Sequence, residues 1–114
     1  MKIERIDSGQ AVVLHVSGDI GEEGVKELRI AFLNCIKDGH YCVIVDMTKV
    51  ACISYMGVGV VVERLRQFRA LKGDIKLVGV NLYCERLFRM VGVKSLFETY
   101  DSEVQALQVF QEAA

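Results

Sequence analysis

The chain has 114 residues, 52% of them hydrophobic, a size and composition that suit one domain with a single core. Its 14 basic and 15 acidic residues leave a net charge of −1, which gives no electrostatic case for nucleic acid or an anionic membrane surface as partner. No apolar run approaches the roughly 20 residues that span a bilayer. The start Met1-Lys2-Ile3-Glu4-Arg5 is too polar and acidic for a signal peptide, so the expected location is the cytoplasm without membrane insertion.

Residues 11–16 (AVVLHV) read as a strand, with a shorter strand around 3–6 that pairs with it across a Ser8-Gly9 turn. Ser17-Gly18-Asp19-Ile20-Gly21 is loop. Val25, Leu28, Phe32, Cys35 and Ile36 then recur at helical spacing. Glu22 and Glu23 fall in the first turn, where the macrodipole favours negative charge, and Gly39 lies just past the last. Residues 41–45 form an almost wholly apolar strand, a mark of burial on both faces in a parallel region, and the apolar run ends at Asp46.

After a loop, Ser54 and Tyr55 stand just ahead of Gly57-Val58-Gly59 and a second helix over about 56–72. Val58, Val61, Val62, Leu65 and Phe68 make its core stripe. Gly73-Asp74 turns the chain into a strand over 75–78. Asn81 caps a short helix with Cys84, Leu87, Phe88 and Val91 inside, closed by Gly92. An extended segment over 96–98 leads to a last helix, where Ser102 and Gln105 have capping-box spacing and Val104, Leu107 and Phe110 face inward. Strands alternating with helices through short loops read as an α/β layer fold with right-handed crossovers. The chain contains no proline, and no repeat or low-complexity tract marks a second domain.

Signatures of catalysis are thin. There is no G-x-S-x-G, and no histidine lies near Ser54 in sequence. Gly57-x-Gly59 lacks the further glycine and lysine of a P-loop and the third glycine of a dinucleotide fingerprint; close packing of helix against sheet is the competing role for these glycines. Ser54 and Tyr55 at a helix start sit where free backbone N–H groups favour a phosphoryl group or a polar partner. Ser54 also suits a capping or loop hydroxyl. Asp46 is either a catalytic carboxylate or a side chain bonded to loop N–H groups. Arg64, Arg66, Arg69 and Lys72 either dock an acidic partner or complement the C-terminal half of their helix. Cys35, Cys42, Cys52 and Cys84 are scattered beside apolar segments and read as buried, reduced thiols. His15 and His40 are not paired with a useful ligand set, so no metal is expected.

The order of elements and the residues at their joints resemble the STAS domain, and within it the anti-sigma factor antagonists, over nearly the whole chain. Val13-Leu14-His15-Val16-Ser17-Gly18-Asp19-Ile20 is similar to the family's opening strand and G-x-L. Val43-Ile44-Val45-Asp46-Met47-Thr48-Lys49-Val50 is similar to its v-l-D-l-s-x-v, and Ile53 through Gly59 to its f-i-D-S-S-G-l-G. Leu77-Val78-Gly79-Val80, Val91-Gly92-Val93, Leu96-Phe97, Tyr100-Asp101-Ser102 and Ala106-Leu107 follow the rest of the family pattern in order.

The resemblance implies an α/β fold of the STAS type: one domain over 1–114, with a mixed β-sheet of about four to five strands and about four helices. It implies a regulatory binding module rather than an enzyme, with no catalytic residue and no cofactor. In such proteins a Ser or Thr at the loop–helix junction is phosphorylated by an anti-sigma factor kinase of the GHKL type, with a phosphatase as a further partner. The unphosphorylated domain binds the kinase and frees the sigma factor, and the phosphorylated one lets go. A phosphate adds about −1.5 to −2 charges, which repel an acidic partner surface.

Aligned on Gly57 and Gly59, the family's D-S-S triplet falls on Ser54-Tyr55-Met56. The acidic position is thus Ser54, and the acceptor position is Tyr55. The Asp that often follows G-x-L is Gly21, with Glu22 and Glu23 just beyond. Ser54 remains a phosphorylation candidate one place off the usual acceptor. The partner surface implied is Asp19, Glu22, Glu23, Ser54, Tyr55, Met56, Gly57 and Val58, with Gly18, Asp46 and Gly59 as structural residues. A non-switching STAS scaffold subunit of a transporter or other signalling complex is the alternative.

Overall fold

The structure is a computed structural model that describes residues 1–113. Strands β1 (Lys2–Ser8) and β2 (Ala11–Ser17) form an antiparallel hairpin. Strands β3 (Cys42–Lys49), β4 (Asp74–Val78) and β5 (Glu98–Tyr100) add in chain order, each parallel to its neighbour, to complete a mixed five-stranded sheet ordered β1-β2-β3-β4-β5. Helices α1 (Glu22–Lys37), α2 (Tyr55–Ala70) and α3 (Leu82–Met90) are the crossovers between the parallel strands, and α4 (Glu103–Ala113) follows β5.

The period-2 alternation of the strands assigns residues to two unequal cores. Val12, Leu14 and Val16 of β2, with Val43, Val45 and Met47 of β3, pack beneath the three crossover helices. There Phe32 of α1 meets Phe68 of α2 edge to face, with ring centroids 5.8 Å apart. On the opposite face Ala11, Val13, Ile44 and Val78 meet Ala106 and Phe110 of α4, with Leu107, Cys42 and Tyr100 packed at the margin. The buried Lys76 lies on this second face. Its ammonium is 4.6 Å from the centre of the Phe110 ring, 3.1 Å from Asp74 Oδ2, and in contact with Glu98. Burial pulls that ammonium down, but the hydrogen bonds to Glu98 and Asp74 outweigh it and hold the group above the ordinary lysine value.

Several boundaries differ from the sequence expectation. β1 extends on both sides of residues 3–6, because the ladder continues from Lys2 opposite Ser17 to Ser8 opposite Ala11. β3 begins at Cys42 and runs past residue 45 to Lys49, because β2 supplies a parallel partner as far as Ser17 opposite Lys49. The extended segment expected over 96–98 is displaced. Lys94–Leu96 is a 3-10 turn, Phe97 is buried and stacks on Phe88 at 5.6 Å, and only then does β5 begin.

Helix α2 ends at Ala70 rather than 72. Lys72 takes a left-handed conformation (φ 66°), and the Gly73 N–H closes back on the Phe68 carbonyl at 2.8 Å. Val60 joins its buried face, and Val62 is only half-buried. Val104 and Val91 face outward, and in α4 Ala106 and Phe110, one turn apart, take the inner positions. The basic run does not form one solvated face. Arg64 is buried and donates to Gln67 at 2.7 Å, while Arg69 bonds Asp74 and the Leu96 carbonyl.

Candidate functional site

Where β2 and β3 end, their continuing loops stay zipped together. The Gly18 N–H bonds the Lys49 carbonyl at 3.1 Å, Ile20 N–H bonds Cys52 at 3.0 Å, and Ser54 N–H bonds Ile20 at 2.9 Å. Ile20 and Ile53 form a parallel bridge and bury their side chains. The loop carrying Asp19 and the loop carrying Ser54 are therefore one ledge at the C-terminal edge of the parallel sheet, a place where α/β folds commonly bind ligands. Gly18 has φ 90°, and a Cβ there would come within 3.1 Å of Met1 Cα, so this corner is built for glycine.

Ser54 is the N-cap of α2. Its backbone is extended (φ −77°, ψ 165°), and its Oγ accepts the Gly57 N–H at 3.1 Å. Helical geometry then sorts the next four residues in pairs. Tyr55 and Met56 project outward, 64% and 60% exposed, whereas Gly57 and Val58 are buried. Gly57 and Val58, expected at the partner surface, are thus buried, and for Gly57 the geometry fits the packing role that competes with partner contact. A Cβ on Gly57 would come within 2.7 Å of Ile53 Cγ1 and 3.0 Å of Ile20 Cγ2. Gly59, expected as a structural residue, is exposed, and nothing lies within 4 Å of where its Cβ would stand. Asp19, Glu22 and Glu23 are exposed beside the ledge, and the first turn of α2 carries no acidic residue, so its partial positive charge is not offset by its own side chains.

The start of α3 belongs to the same surface, a neighbourhood absent from the sequence-based set. Asn81 Oδ1 accepts the Cys84 N–H at 2.8 Å, the cap expected of it. Its Nδ2 also donates to the carbonyls of Val50 and Ala51, at 3.1 and 3.0 Å. This amide bolts α3 to the loop that delivers Ser54, and leaves Leu82 and Tyr83 78% and 76% exposed next to it. Their outward register could have been read from the inner pair Cys84 and Phe88, but the Asn81 link spans thirty residues and has no local signal.

A second polar group lies on the α4 face. Asp46 Oδ1 accepts the Thr48 N–H at 2.9 Å, the loop-holding bond expected of it. His15, expected to stand apart from any ligand set, is opposite Asp46 in register. Its Nε2 is 3.9 Å from Asp46 Oδ2 and in contact with Glu103 at the start of α4. The hydrogen bond to Asp46, together with burial, pushes the Glu103 carboxyl up. Burial also pushes Asp46 up, but hydrogen bonds from Glu103 and Thr48 outweigh it and hold Asp46 below the usual range. All four thiols are free. Burial raises those of Cys35, Cys42 and Cys84, whereas Cys52, contrary to expectation, is exposed on the ledge.

The sheet order, the three helices on one face with a fourth on the other, and a ledge at the start of α2 define a small α/β domain of the anti-sigma factor antagonist type of architecture. The family model for the STAS domain matches residues 2–106, and the chain belongs to that family. A Thermotoga maritima structure assigned as an anti-sigma factor antagonist superimposes with a TM-score of 0.89 at 18% identity, over 96% of this chain and 94% of the other. The unphosphorylated anti-sigma factor antagonist SpoIIAA gives 0.84 at 18% identity, over 97% of both chains. An anti-sigma factor antagonist from Mycobacterium paratuberculosis gives 0.85 at 18%, over 96% and 93%. At such identities the likeness establishes the fold. No curated protein sequence matches the chain. Among the described residues no helix is long and apolar enough to cross a membrane.

Proposed function

We propose that the chain acts as one cytoplasmic domain, a non-enzymatic regulatory module that docks an anti-sigma factor kinase of the GHKL type on the Ser54 ledge and so releases a sigma factor to control transcription. One observation carries this reading: Tyr55 and Met56 are presented to solvent at a helix start whose following residues, Gly57 and Val58, are locked into the core. A rigid base beneath two exposed, interface-prone side chains reduces the ordering cost of docking. The acidic trio Asp19, Glu22 and Glu23 frames one side, and Leu82 and Tyr83 extend the surface on another part of the ledge.

A specific observation favours a second reading within the same surface. The Ser54 hydroxyl is half-buried and committed to the Gly57 amide, and Tyr55 occupies the place of the family's usual acceptor. Binding without a serine phospho-switch, as in a scaffold subunit of a transporter or other signalling complex, fits that arrangement.

The test pairs the purified chain with GHKL-type kinases from its native host, with binding measured by calorimetry with and without ATP. Met56→Asp is expected to weaken binding at least about tenfold, since it places a charge in a desolvated contact. Phosphate on Ser54 with loss of binding supports the switch, and intact binding with no phosphate supports the scaffold. Wild-type affinity in Met56→Asp, or phosphate on a residue remote from the ledge, overturns the surface assignment.

A further inference from the structure

We propose that His15, Asp46 and Glu103 bind one divalent transition-metal ion of the zinc class. The three side chains arrive from β2, β3 and α4, and one donor atom from each can be chosen so that all lie within 4.8 Å of one another. Zinc bonds of about 2.0–2.2 Å to imidazole nitrogen and carboxylate oxygen set tetrahedral donors roughly 3.3–3.6 Å apart. Rotamer adjustment of the three side chains would have to bring the donors from their present spread to that spacing, and His15 and Asp46 are fixed as register partners in a parallel ladder.

What separates this group from an ordinary surface ion pair is that a nitrogen and two carboxylates converge from three different elements. Asp46 Oδ1 is held by the Thr48 N–H at 2.9 Å, which turns Oδ2 toward His15. A ligand carboxylate with one oxygen tied by a backbone donor and the other aimed at a second ligand is the outer support expected around a metal. The donor set also selects the metal. An imidazole nitrogen favours zinc, nickel or copper over magnesium and calcium, which prefer oxygen alone, and two carboxylates supply the charge that balances a dication.

The cluster is neither sealed nor fully washed, with side-chain exposures of 34% for His15, 16% for Asp46 and 31% for Glu103. His15 and Asp46 line a cleft of about 370 Å³ that leaves room for a water to complete a four-coordinate site and a path for the ion to enter. Lys2 and Lys49 also line the cleft and oppose a cation, though Lys2 is paired with Glu4 at 3.1 Å. An ion held here would clip the start of α4 to the sheet, at the end of the helix away from the Lys76–Phe110 contact.

The test titrates the full chain, stripped with a chelator, with Zn²⁺ against a chromophoric competitor, and separately with Co²⁺ as a spectroscopic probe. The expected result is one equivalent of Zn²⁺, at least about tenfold weaker in His15→Gln and in Glu103→Gln. Co²⁺ is expected to give a ligand-field spectrum without thiolate charge-transfer bands. Glu103→Gln, near-isosteric at an open helix start, decides the matter if His15→Gln does not fold. Three results overturn the proposal: no stoichiometric Zn²⁺ binding below about 1 mM, affinity within about twofold of wild type in the folded variant, or a thiolate band that Cys52→Ser removes.

Discussion

Replacing Ser54 by Ala and by Asp separates the structural work of its hydroxyl from any role in docking. In Ser54→Ala the Gly57 N–H loses the acceptor that sits 3.1 Å away. N-cap Ser→Ala changes cost about 0.5–2 kcal/mol. The upper half of that range applies here, because Gly57 is buried and water cannot readily take over its amide. With an unfolding entropy of roughly 2.1 cal/mol/K per residue, each kcal/mol shifts Tm by about 4 °C in a chain of this length. A loss of about 1–2 kcal/mol therefore lowers Tm by about 4–8 °C. Ser54→Asp keeps an acceptor for Gly57 and adds negative charge at a helix start that has no acidic residue of its own, a favourable interaction of about 0.3–1 kcal/mol. Its Tm should match or exceed wild type. Scanning calorimetry on the three proteins reads this ordering directly. If Ser54→Ala melts within about 1 °C of wild type, or Ser54→Asp falls as far as Ser54→Ala, the capping role is wrong. The same pair then tests the ledge: a well-folded Ser54→Asp with at least about tenfold weaker kinase binding places the interface at the cap, and unchanged affinity removes it from there.

The two glycines of α2 should respond with opposite signs. Gly57→Ala forces a methyl within 2.7 Å of Ile53 and should destabilise by about 1–3 kcal/mol, whereas Gly59→Ala enters open space in a helix and should stabilise by about 0.5–1 kcal/mol; urea titrations giving equal signs would contradict the packing described. Phe32→Ala removes a fully buried ring from its edge-to-face partner Phe68 and should cost about 3–5 kcal/mol in the same assay, and a loss below about 1 kcal/mol would mean that α1 and α2 are not joined there. The hydrogen bond from Lys76 holds the Glu98 carboxyl below the ordinary value of about 4.3, so its stabilisation is complete above that value and is lost as pH falls through the lowered one. The raised Lys76 ammonium contributes fully below about 10.4 and is lost only as pH rises through its raised value. Wild type should therefore lose more stability than Lys76→Met on acidification from about pH 5 to pH 3, and parallel pH profiles would show that the pair contributes nothing.

The architecture was legible because its signals are periodic and local. The helical recurrence of Val25, Leu28, Phe32 and Cys35 and the apolar run Val43-Ile44-Val45 mark buried faces regardless of what covers them. Strand ends were not legible, because a strand stops where its partner's ladder stops. Thr48 and Lys49 look like loop from their polarity, yet they continue β3 alongside Ser17. Val104 is exposed for a related reason: a two-residue step in an 11-residue helix separates it from the buried Ala106–Phe110 pair, and only the facing strands select the right stripe.

At the ledge the sequence held more than exposure rules alone suggest. The stripe Val58, Val61, Leu65 and Phe68, stepped back by one turn from Val61, lands on Gly57, so Gly57 and Val58 share the inner face and Tyr55 and Met56 must take the outer one. Helical phase alone could have divided the four residues correctly. The other contacts that shape this protein's chemistry have no such phase. His15 and Glu103 are 88 residues apart, and Asn81 reaches Ala51 across 30. Each joins a helix start to the sheet or to its edge loop, and each uses a side chain whose local sequence offers an adequate explanation of its own: a strand histidine, a first-turn glutamate, a capping asparagine. Such residues serve two masters, one local and one distant. The consequence can be measured: Asn81→Asp keeps the cap acceptor for Cys84 but replaces the donor to Val50 and Ala51 with a repelling oxygen. It should loosen α3 from the ledge, seen as faster amide exchange at Val50 and Glu85 while α2 stays protected, and uniform exchange across both helices would show that the link carries no local stability.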